Sequence, residues 1–261
     1  MTTDTFAAII AFGLGLIFGS FATVVAHRIP RHEGIVTGRS KCPSCGHEIT
    51  AVENIPLISY LLQRGRCRHC GARISPRYPL IEVTTALLFL AAVIRYEVGV
   101  QAVVYAAFFW VLVVLTAIDL EHKLLPNRIV YPSFVVGSIA LVVLAAIDGE
   151  FDRLPDAALG VAVFGGFLFV VAFIAPAGMG GGDVKLAFVL GEFLGYAGGL
   201  GIVLVAMFMS FVLGALIGIV VMIVTGGSRK MQVPFGPFLA AGTVFALMWG
   251  RPVLDAYLDT L

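Results

Sequence analysis

Four cysteines in two close pairs are the residues whose types and spacing most directly suggest metal binding. They are the only cysteines in the chain. A glycine follows each pair and permits the positive φ that a tight metal-binding turn favours. Two Cys-x-x-Cys pairs with 21 residues between them are typical of a four-thiolate zinc site. The pattern therefore predicts a structural Zn²⁺ ion bound by Cys42, Cys45, Cys67 and Cys70.

Other interpretations of this segment stay open on the sequence alone. Disulfides are disfavoured on a reducing cytoplasmic side, and a redox Cys-x-x-Cys would need a βαβ context that the sequence does not show. His47 and His69 are able to replace a thiolate, although we expect them beside the site. Nearby arginines either mark the cytoplasmic side or contact anionic lipid or substrate. These arginines are Arg64, Arg66, Arg68 and Arg73.

Two aspartates beside long apolar segments are candidates for acid–base chemistry. Asp119 begins the stretch DLEHKLLPN, and Asp183 follows three glycines in GGGDVKL. Ionisable residues at membrane depth are functional-site candidates by default. Two neighbouring carboxylates do not both ionise cheaply, so one keeps a proton while the other takes a proton from water. This is the chemistry of an aspartic protease, and it requires no metal.

The glycines before Asp183 suit such a site. They let a peptide backbone approach closely and permit an irregular entry into the helix that follows. Asp183 near the start of that helix gains from the helix macrodipole, which favours its ionised form. We predict a substrate-approach loop at Gly180, Gly181 and Gly182.

Each carboxylate also has a structural interpretation. Asp119 is followed by other charged residues and is able to serve as an ordinary solvated loop carboxylate. Asp183 could cap the helix or pair with Lys185. Glu192 lies inside an apolar segment, and we expect it to satisfy a polar group there instead of acting catalytically.

The elements that must position these residues are membrane helices. The chain of 261 residues is 59% hydrophobic and 13% charged, whereas soluble domains have about 45–50% apolar and about 25% charged residues. Eight apolar segments approach the roughly 20 residues that cross a bilayer. They are Phe6–Ala26, Leu80–Ile94, Val100–Ile118, Ile129–Ile147, Ala157–Ala175, Val184–Ala197, Leu200–Thr225 and Val233–Trp249. The sixth is the least secure, because it is short and contains two charges.

The distribution of basic residues predicts the orientation. With both termini outside, 14 of the 17 lysines and arginines fall on one side, as expected for the cytoplasmic face. The first segment is expected to remain as a helix, because its basic residues follow it, unlike those of a signal peptide. The net charge of +1 gives no reason to expect a nucleic-acid partner. We predict an all-α integral membrane protein with a first helix (1–27), a cytoplasmic zinc insert (28–78) and a seven-helix domain (79–261).

Ordered motifs along nearly the whole chain resemble those of the type IV prepilin peptidases, which are leader peptidase/N-methyltransferases of type IV pilus and type II secretion systems. The motifs are GSFATVVAHRIP (19–30), CPSCGHEI, ENIPLISYLLQRGRCRHCGARISPRYPLIE (53–82), DLEHKLLPN (119–127), GGGDVKL (180–186) and PFGPFLA (234–240). The fifth resembles the GxGD motif of this family of membrane aspartic proteases.

The resemblance implies a function and assigns residues to it. Asp119 and Asp183 match the family's catalytic aspartates, and the four cysteines match its zinc ligands. Its members reside in the bacterial inner membrane, where they cut the basic leader from prepilins and pseudopilins at the cytoplasmic face. They then methylate the new N-terminal residue with S-adenosylmethionine, and the insert is expected to serve this second reaction. Thr23 and Asn127 depart from the usual asparagine and aspartate of the family motifs.

Three other functions are compatible with parts of the pattern. The chain could be a peptidase alone, with an insert that is structural or docks the substrate. It could be an ion-coupled transporter, although this class favours internal repeats and mid-membrane carboxylates, and we detect no repeat. A non-enzymatic scaffold anchored by a zinc knuckle is the third.

Overall fold

The computed structural model describes residues 3–35, 38–175, 179–225 and 234–260. Arg229 and Lys230, two of the 14 basic residues on the predicted cytoplasmic side, lie outside these ranges, as does Val233, the first residue of the last predicted segment. Within the described ranges the secondary structure is helical, with two isolated β-bridges in the cysteine-rich insert. An all-α class is therefore confirmed.

The helices follow one another along the chain. They are α1 (Thr3–Arg28), α2 (Ile58–Leu62), α3 (Arg77–Tyr96), α4 (Val100–His122), α5 (Asn127–Asp148), α6 (Arg153–Gly160), α7 (Gly166–Ile174), α8 (Gly181–Thr225) and α9 (Gly236–Leu258). A 3₁₀ turn, Val52–Asn54, precedes α2, and a π-helical turn, Val161–Gly165, joins α6 to α7.

Seven helical stretches of the described residues are long and apolar enough to cross a membrane. They are α1, α3, α4, α5, the continuous α6–α7 stretch, α8 and α9. The helix α8 has 45 residues, or about 68 Å at 1.5 Å per residue. This length is more than twice the roughly 30 Å of bilayer hydrocarbon. The helix α8 is therefore too long to cross a bilayer once as a straight helix.

Two glycines interrupt α8 and reconcile this count with the eight predicted segments. Gly198 (φ −174°, ψ 23°) and Gly199 (φ 71°, ψ −166°) both depart from helical geometry. The positive φ of Gly199 lies in the region that glycine occupies without steric cost. The break divides α8 into a first arm, 181–197, and a second arm, 200–225. The second arm has the bounds of the seventh predicted segment, and the first arm begins three residues before the sixth.

The packing of the two arms shows that the chain reverses at this break. Gly195 packs against Asp156, and Phe188 packs against Gly165, so the first arm runs antiparallel to α6–α7. Phe211 of the second arm meets Phe167 of α7 edge to face, with ring centroids 5.9 Å apart. The second arm therefore runs in the same direction as α6–α7, and α8 is a helical hairpin.

The chain divides into two compact units, Met1–Ile118 and Asp119–Leu261. The sequence-based boundaries at 27/28 and 78/79 follow composition and stay a prediction. In the first unit, α1 packs closely on α3, since a Cβ at Gly19 would meet the backbone of Glu82. Trp110 of α4 donates its indole N–H to the carbonyl oxygen of Phe18 at 2.8 Å.

The second unit is built around the first arm of α8. Gly191 on this arm and Gly160 on α6 leave no room for a side chain between the two backbones, as is common where membrane helices pack through small residues. Gly242 of α9 packs equally closely on Ser210 of the second arm. These contacts hold both arms of α8 against neighbouring helices, and Asp183 lies near the start of the first arm.

Candidate functional site

Two buried aspartates belong to the second unit. Asp119 lies in the last turn of α4, with 5% of its surface exposed, and Asp183 lies in the first turn of α8, with 8% exposed. The structure therefore does not support the interpretation of Asp119 as an ordinary solvated loop carboxylate. Burial of an ionised carboxyl is costly unless other groups stabilise it, so a buried aspartate at membrane depth is a candidate for a functional site.

Three segments of the chain converge on this pair. The backbone N–H of Gly236, at the start of α9, donates a hydrogen bond to Oδ2 of Asp119 at 3.1 Å. Leu125, in the loop after α4, lies against both Gly236 and Gly182. The carboxyl groups of Asp119 and Asp183 are close enough to interact electrostatically. Helix packing thus brings together two residues that are 64 positions apart.

The three glycines of the predicted substrate-approach loop have different surroundings. A Cβ at Gly180 would lie 2.9 Å from Oδ2 of Asp183, and one at Gly182 would lie 2.9 Å from Cβ of Leu125. Among the described residues, nothing lies within 4 Å of the position that a Cβ at Gly181 would take. Gly180 and Gly182 therefore allow close packing around the carboxylate, whereas Gly181 borders open space.

Lys185 contacts Asn127 and not Asp183, the partner that its position in the sequence suggested. Its ammonium group donates to Oδ1 of Asn127 at 3.0 Å and lies 5.5 Å from the ring centroid of Tyr131. Asp183 follows the helix start at Gly181, and its backbone N–H bonds to the carbonyl oxygen of Gly180 at 3.1 Å. The Lys185 pairing proposed for Asp183 is thus replaced by a contact with Asn127, one of the two departures from the family pattern.

Glu192 takes a structural position on the first arm of α8. It is 2% exposed, and its Oε2 accepts a hydrogen bond from the hydroxyl of Ser138 at 2.6 Å. Its Oε1 lies beside Gly137 of α5. These contacts agree with the expectation that Glu192 satisfies a polar group inside the helix bundle.

The four cysteines lie in two similar turns of the first unit. The N–H of Cys42 bonds to the carbonyl oxygen of His47 at 2.9 Å, and the N–H of Cys67 bonds to that of Ala72 at 2.8 Å. Each turn closes at a glycine with positive φ, 72° at Gly46 and 71° at Gly71. The glycine requirement predicted from the sequence is thus met.

The sulfur atoms converge to metal-binding distances. All four lie within 4.8 Å of one another, and Sγ of Cys42 is 3.9 Å from Sγ of Cys70. Tetrahedral coordination with Zn–S bonds of about 2.3 Å separates the sulfurs by about 3.8 Å. Backbone N–H donors of Ser44 and Cys45 lower the pKa of the Cys42 thiol to about 7. The cluster is compatible with zinc, and all four thiols are free of disulfides.

Several residues at these sites were not singled out from the sequence. Gly236 belongs to the motif PFGPFLA and Leu125 to DLEHKLLPN, but neither type signals a contact with a carboxylate. Glu82, at the end of YPLIE, is buried in α3 and accepts the N–H of Leu57 at 2.7 Å. An acidic residue inside an apolar segment was the available signal for Glu82.

Comparisons with known proteins agree with this arrangement. Residues 14–96 match the family model for the Bacterial Peptidase A24 N-terminal domain. Residues 106–219 match that of the Type IV leader peptidase family. The first match contains the cysteine cluster, and the second contains both aspartates. No solved structure matches the chain.

Curated relatives extend the similarity over most of the chain. The prepilin leader peptidase/N-methyltransferase of Bacillus subtilis (strain 168) is 36% identical, with 95% of this chain and 97% of the relative covered. Proteins of the same name from Pseudomonas putida and Aeromonas hydrophila are 36% and 37% identical. The match to the P. putida protein covers 100% of this chain and 99% of that relative. The match to the A. hydrophila protein covers 95% of this chain and 93% of that relative. The chain therefore belongs to the type IV leader peptidase family.

Proposed function

We propose that this protein is a prepilin leader peptidase that also methylates the new N terminus of its product. The buried pair of Asp119 and Asp183 is the observation that carries the peptidase half. The name shared by the relatives from B. subtilis, P. putida and A. hydrophila supports both halves. The substrates are type IV prepilins or pseudopilins with a short basic leader.

The aspartates act as a pair in peptide hydrolysis. One carboxylate removes a proton from water, and the water oxygen attacks the scissile carbonyl carbon. The partner carboxyl donates a hydrogen bond to the carbonyl oxygen, and a proton then passes to the leaving nitrogen. The N–H of Gly236 holds Oδ2 of Asp119 at 3.1 Å and keeps that carboxylate oriented.

The open space beside Gly181 offers a route for the substrate backbone. Gly181 is the first residue of α8 and stands two positions before Asp183. A peptide that passes over a glycine approaches more closely than one that passes over a side chain. We assign Gly181 to the substrate approach, and Gly180 and Gly182 to the packing around the carboxylate.

Zn²⁺ fits the cluster of Cys42, Cys45, Cys67 and Cys70, whose sulfur separations suit tetrahedral coordination. Such an ion would cross-link the two cysteine turns and so stabilise a segment that is too small to build a large hydrophobic core. The two turns themselves orient the thiols through the backbone hydrogen bonds described above. We assign methylation to this insert. S-adenosylmethionine is the expected donor of the methyl group, and no residue of the chain is assigned to it.

We further propose that the protein resides in the bacterial inner membrane with its insert and active site on the cytoplasmic side. The position of the basic residues supports this orientation. A basic leader stays on the cytoplasmic side of the membrane, where such an active site would meet it.

Intact-mass spectrometry of a purified prepilin incubated with the detergent-solubilised protein and S-adenosylmethionine tests both halves of the proposal. We expect a product that has lost its leader and gained one methyl group. An uncleaved prepilin would overturn the peptidase assignment. A cleaved but unmethylated product would overturn the methyltransferase assignment alone.

A further inference from the structure

A second cluster of metal-ligand types lies in the insert beside the four cysteines. We propose that His47, Glu53 and His69 form a separate site for a divalent transition-metal ion such as Zn²⁺. Their ligand atoms all lie within 4.8 Å of one another. The peptidase assignment does not enter this proposal, and its failure would leave that assignment intact.

The turns that present the cysteines also bring these three side chains together. His47 follows Cys45 by two residues, and His69 lies between Cys67 and Cys70. Glu53 belongs to the 3₁₀ turn Val52–Asn54. Ordering of the two cysteine turns therefore places an imidazole from each turn next to a carboxylate from the segment between them.

The Glu53 carboxylate is held in one orientation. Its Oε2 accepts hydrogen bonds from the N–H of Thr50 at 3.0 Å and from the hydroxyl of Thr50 at 2.9 Å. Its Oε1 lies 3.9 Å from Nε2 of His69. One oxygen is thus anchored to the backbone, and the other is placed toward the histidines, as in a carboxylate ligand with a fixed outer contact.

The two imidazole rings are in close contact and leave one nitrogen unsatisfied. The ring centroids of His47 and His69 are 3.4 Å apart, with an interplanar angle of 33°. Nε2 of His47 is buried and has no hydrogen-bond partner among the described residues. A buried polar atom without a partner loses its hydrogen bonds to water and gains nothing in exchange. A metal ion bound by this nitrogen compensates for that loss.

The ligand set defines the kind of ion. Two imidazoles and one carboxylate are a common three-residue set for Zn²⁺ with an open fourth position, and imidazole disfavours Ca²⁺ and Mg²⁺. Tetrahedral bonds of about 2.0–2.1 Å separate ligand atoms by about 3.4 Å, so small side-chain rotations close the cluster. The side chain of His69 is 49% exposed, which gives the ion a path from solvent.

The histidines and Glu53 are not additional ligands of the ion in the four-cysteine site. Four thiolates already complete a tetrahedral zinc coordination sphere. A second ion would instead leave one coordination position for water or for an oxygen or nitrogen atom of a small ligand. The two sites are therefore distinguishable by stoichiometry and by spectroscopy.

Metal analysis of the full-length protein tests this proposal. The protein is saturated with Zn²⁺ and passed over a chelating resin, and the number of zinc ions per chain is then measured by elemental mass spectrometry. We expect two ions per chain for the wild type and one for His69→Gln and Glu53→Gln. Removal of one ligand should lower the affinity of the second site for Zn²⁺ by more than about 100-fold, because loss of an outer-shell contact alone lowers metal affinity by about 10–100-fold. His32→Gln and Glu48→Gln, which lie outside the cluster, should keep two ions.

Substitution with Co²⁺ shows whether the cysteine site survives in each variant. Thiolate-to-cobalt charge-transfer absorption should persist at wild-type intensity in His69→Gln, whose side chain is half exposed and therefore least needed for folding. One ion per chain in the saturated wild type would overturn the proposal. Loss of the thiolate–cobalt absorption in both His69→Gln and Glu53→Gln would also overturn it, because the histidines and cysteines would then form one site.

Discussion

The cysteine cluster and the aspartate pair are assembled in opposite ways. The cysteines span 28 positions and are oriented by two short turns, with Cys45 and Cys70 exposed. The aspartates are 64 positions apart, lie on different helices and are almost fully buried. The backbone of a third helix start, at Gly236, holds one of them.

This difference indicates where each site is vulnerable. A metal site made of local turns depends on its ligands and on the glycines that close the turns. A carboxylate pair made by helix packing depends also on residues with no chemistry of their own, because a single added methyl group displaces the backbone or the carboxylate. The following predictions use substitutions that separate the two behaviours.

The largest effect is expected from either aspartate. Asp119→Asn and Asp183→Asn should each lower prepilin cleavage by at least about 1000-fold, since acid–base catalysis by positioned groups contributes about 10²–10⁴-fold. The rate of leader removal by purified enzyme measures this effect. A variant of an exposed aspartate, Asp148→Asn, should cleave prepilin at the normal rate. Full activity in Asp119→Asn or Asp183→Asn would exclude the proposed pair.

Cys70→Ser should affect the other reaction. We expect loss of the cysteine-bound zinc and at least about 100-fold slower methylation of a pre-cleaved pilin, because a structural zinc supplies folding free energy to its segment. Cleavage should stay within about twofold. Ser44→Ala, which removes an exposed hydroxyl from the first cysteine turn without removing a thiol, serves as the control. Equal losses of cleavage and methylation would contradict the separation of the two sites.

Gly236→Ala should damage the aspartate pair without removing a reactive group. Its Cβ would lie 2.7 Å from Oδ2 of Asp119, and a displacement of about 1 Å costs about 100-fold in rate. We expect kcat for cleavage to fall about 10–100-fold, with methylation of a pre-cleaved pilin unchanged. Gly218→Ala, where a Cβ meets none of the residues that the structure describes within 4 Å, should keep wild-type kcat.

Gly181→Ala should raise the KM for prepilin by at least about fivefold while leaving thermal stability unchanged, because one added methylene-sized group is worth about 1–3 kcal/mol at a tight contact. No described residue lies within 4 Å of the new methyl group, so we expect it to contact the bound substrate. Steady-state kinetics measures the shift. An unchanged KM would remove Gly181 from the substrate approach.

Glu192→Gln should have the smallest effect. The glutamine can keep the hydrogen bond with Ser138 and does not touch the aspartate pair, so we expect cleavage within about twofold of wild type. Ser138→Ala should cost about 1–3 kcal/mol of stability by leaving Glu192 without its partner. Thermal unfolding in detergent measures this. A large loss of cleavage in Glu192→Gln would assign a catalytic role to Glu192.

The sequence predicted the elements of this fold better than the contacts that hold the site together. The apolar segments, the Cys-x-x-Cys turns and the break between the sixth and seventh segments are local, and their lengths and glycines indicate them directly. The position of Leu125 between Gly182 and Gly236 depends on helix packing that one sequence does not reveal. Asn127 was noticed as a departure, yet its hydrogen bond to Lys185 required the structure.

The most direct test of the central claim is the non-additivity of the two aspartates. The single-turnover rate constant for prepilin cleavage would be measured in Asp119→Asn, Asp183→Asn and the double variant. Residues that act as one unit give grossly non-additive losses, so the double variant should be no slower than the slower single variant. A double variant whose loss equals the product of the two single losses would show independent roles and would contradict the paired mechanism.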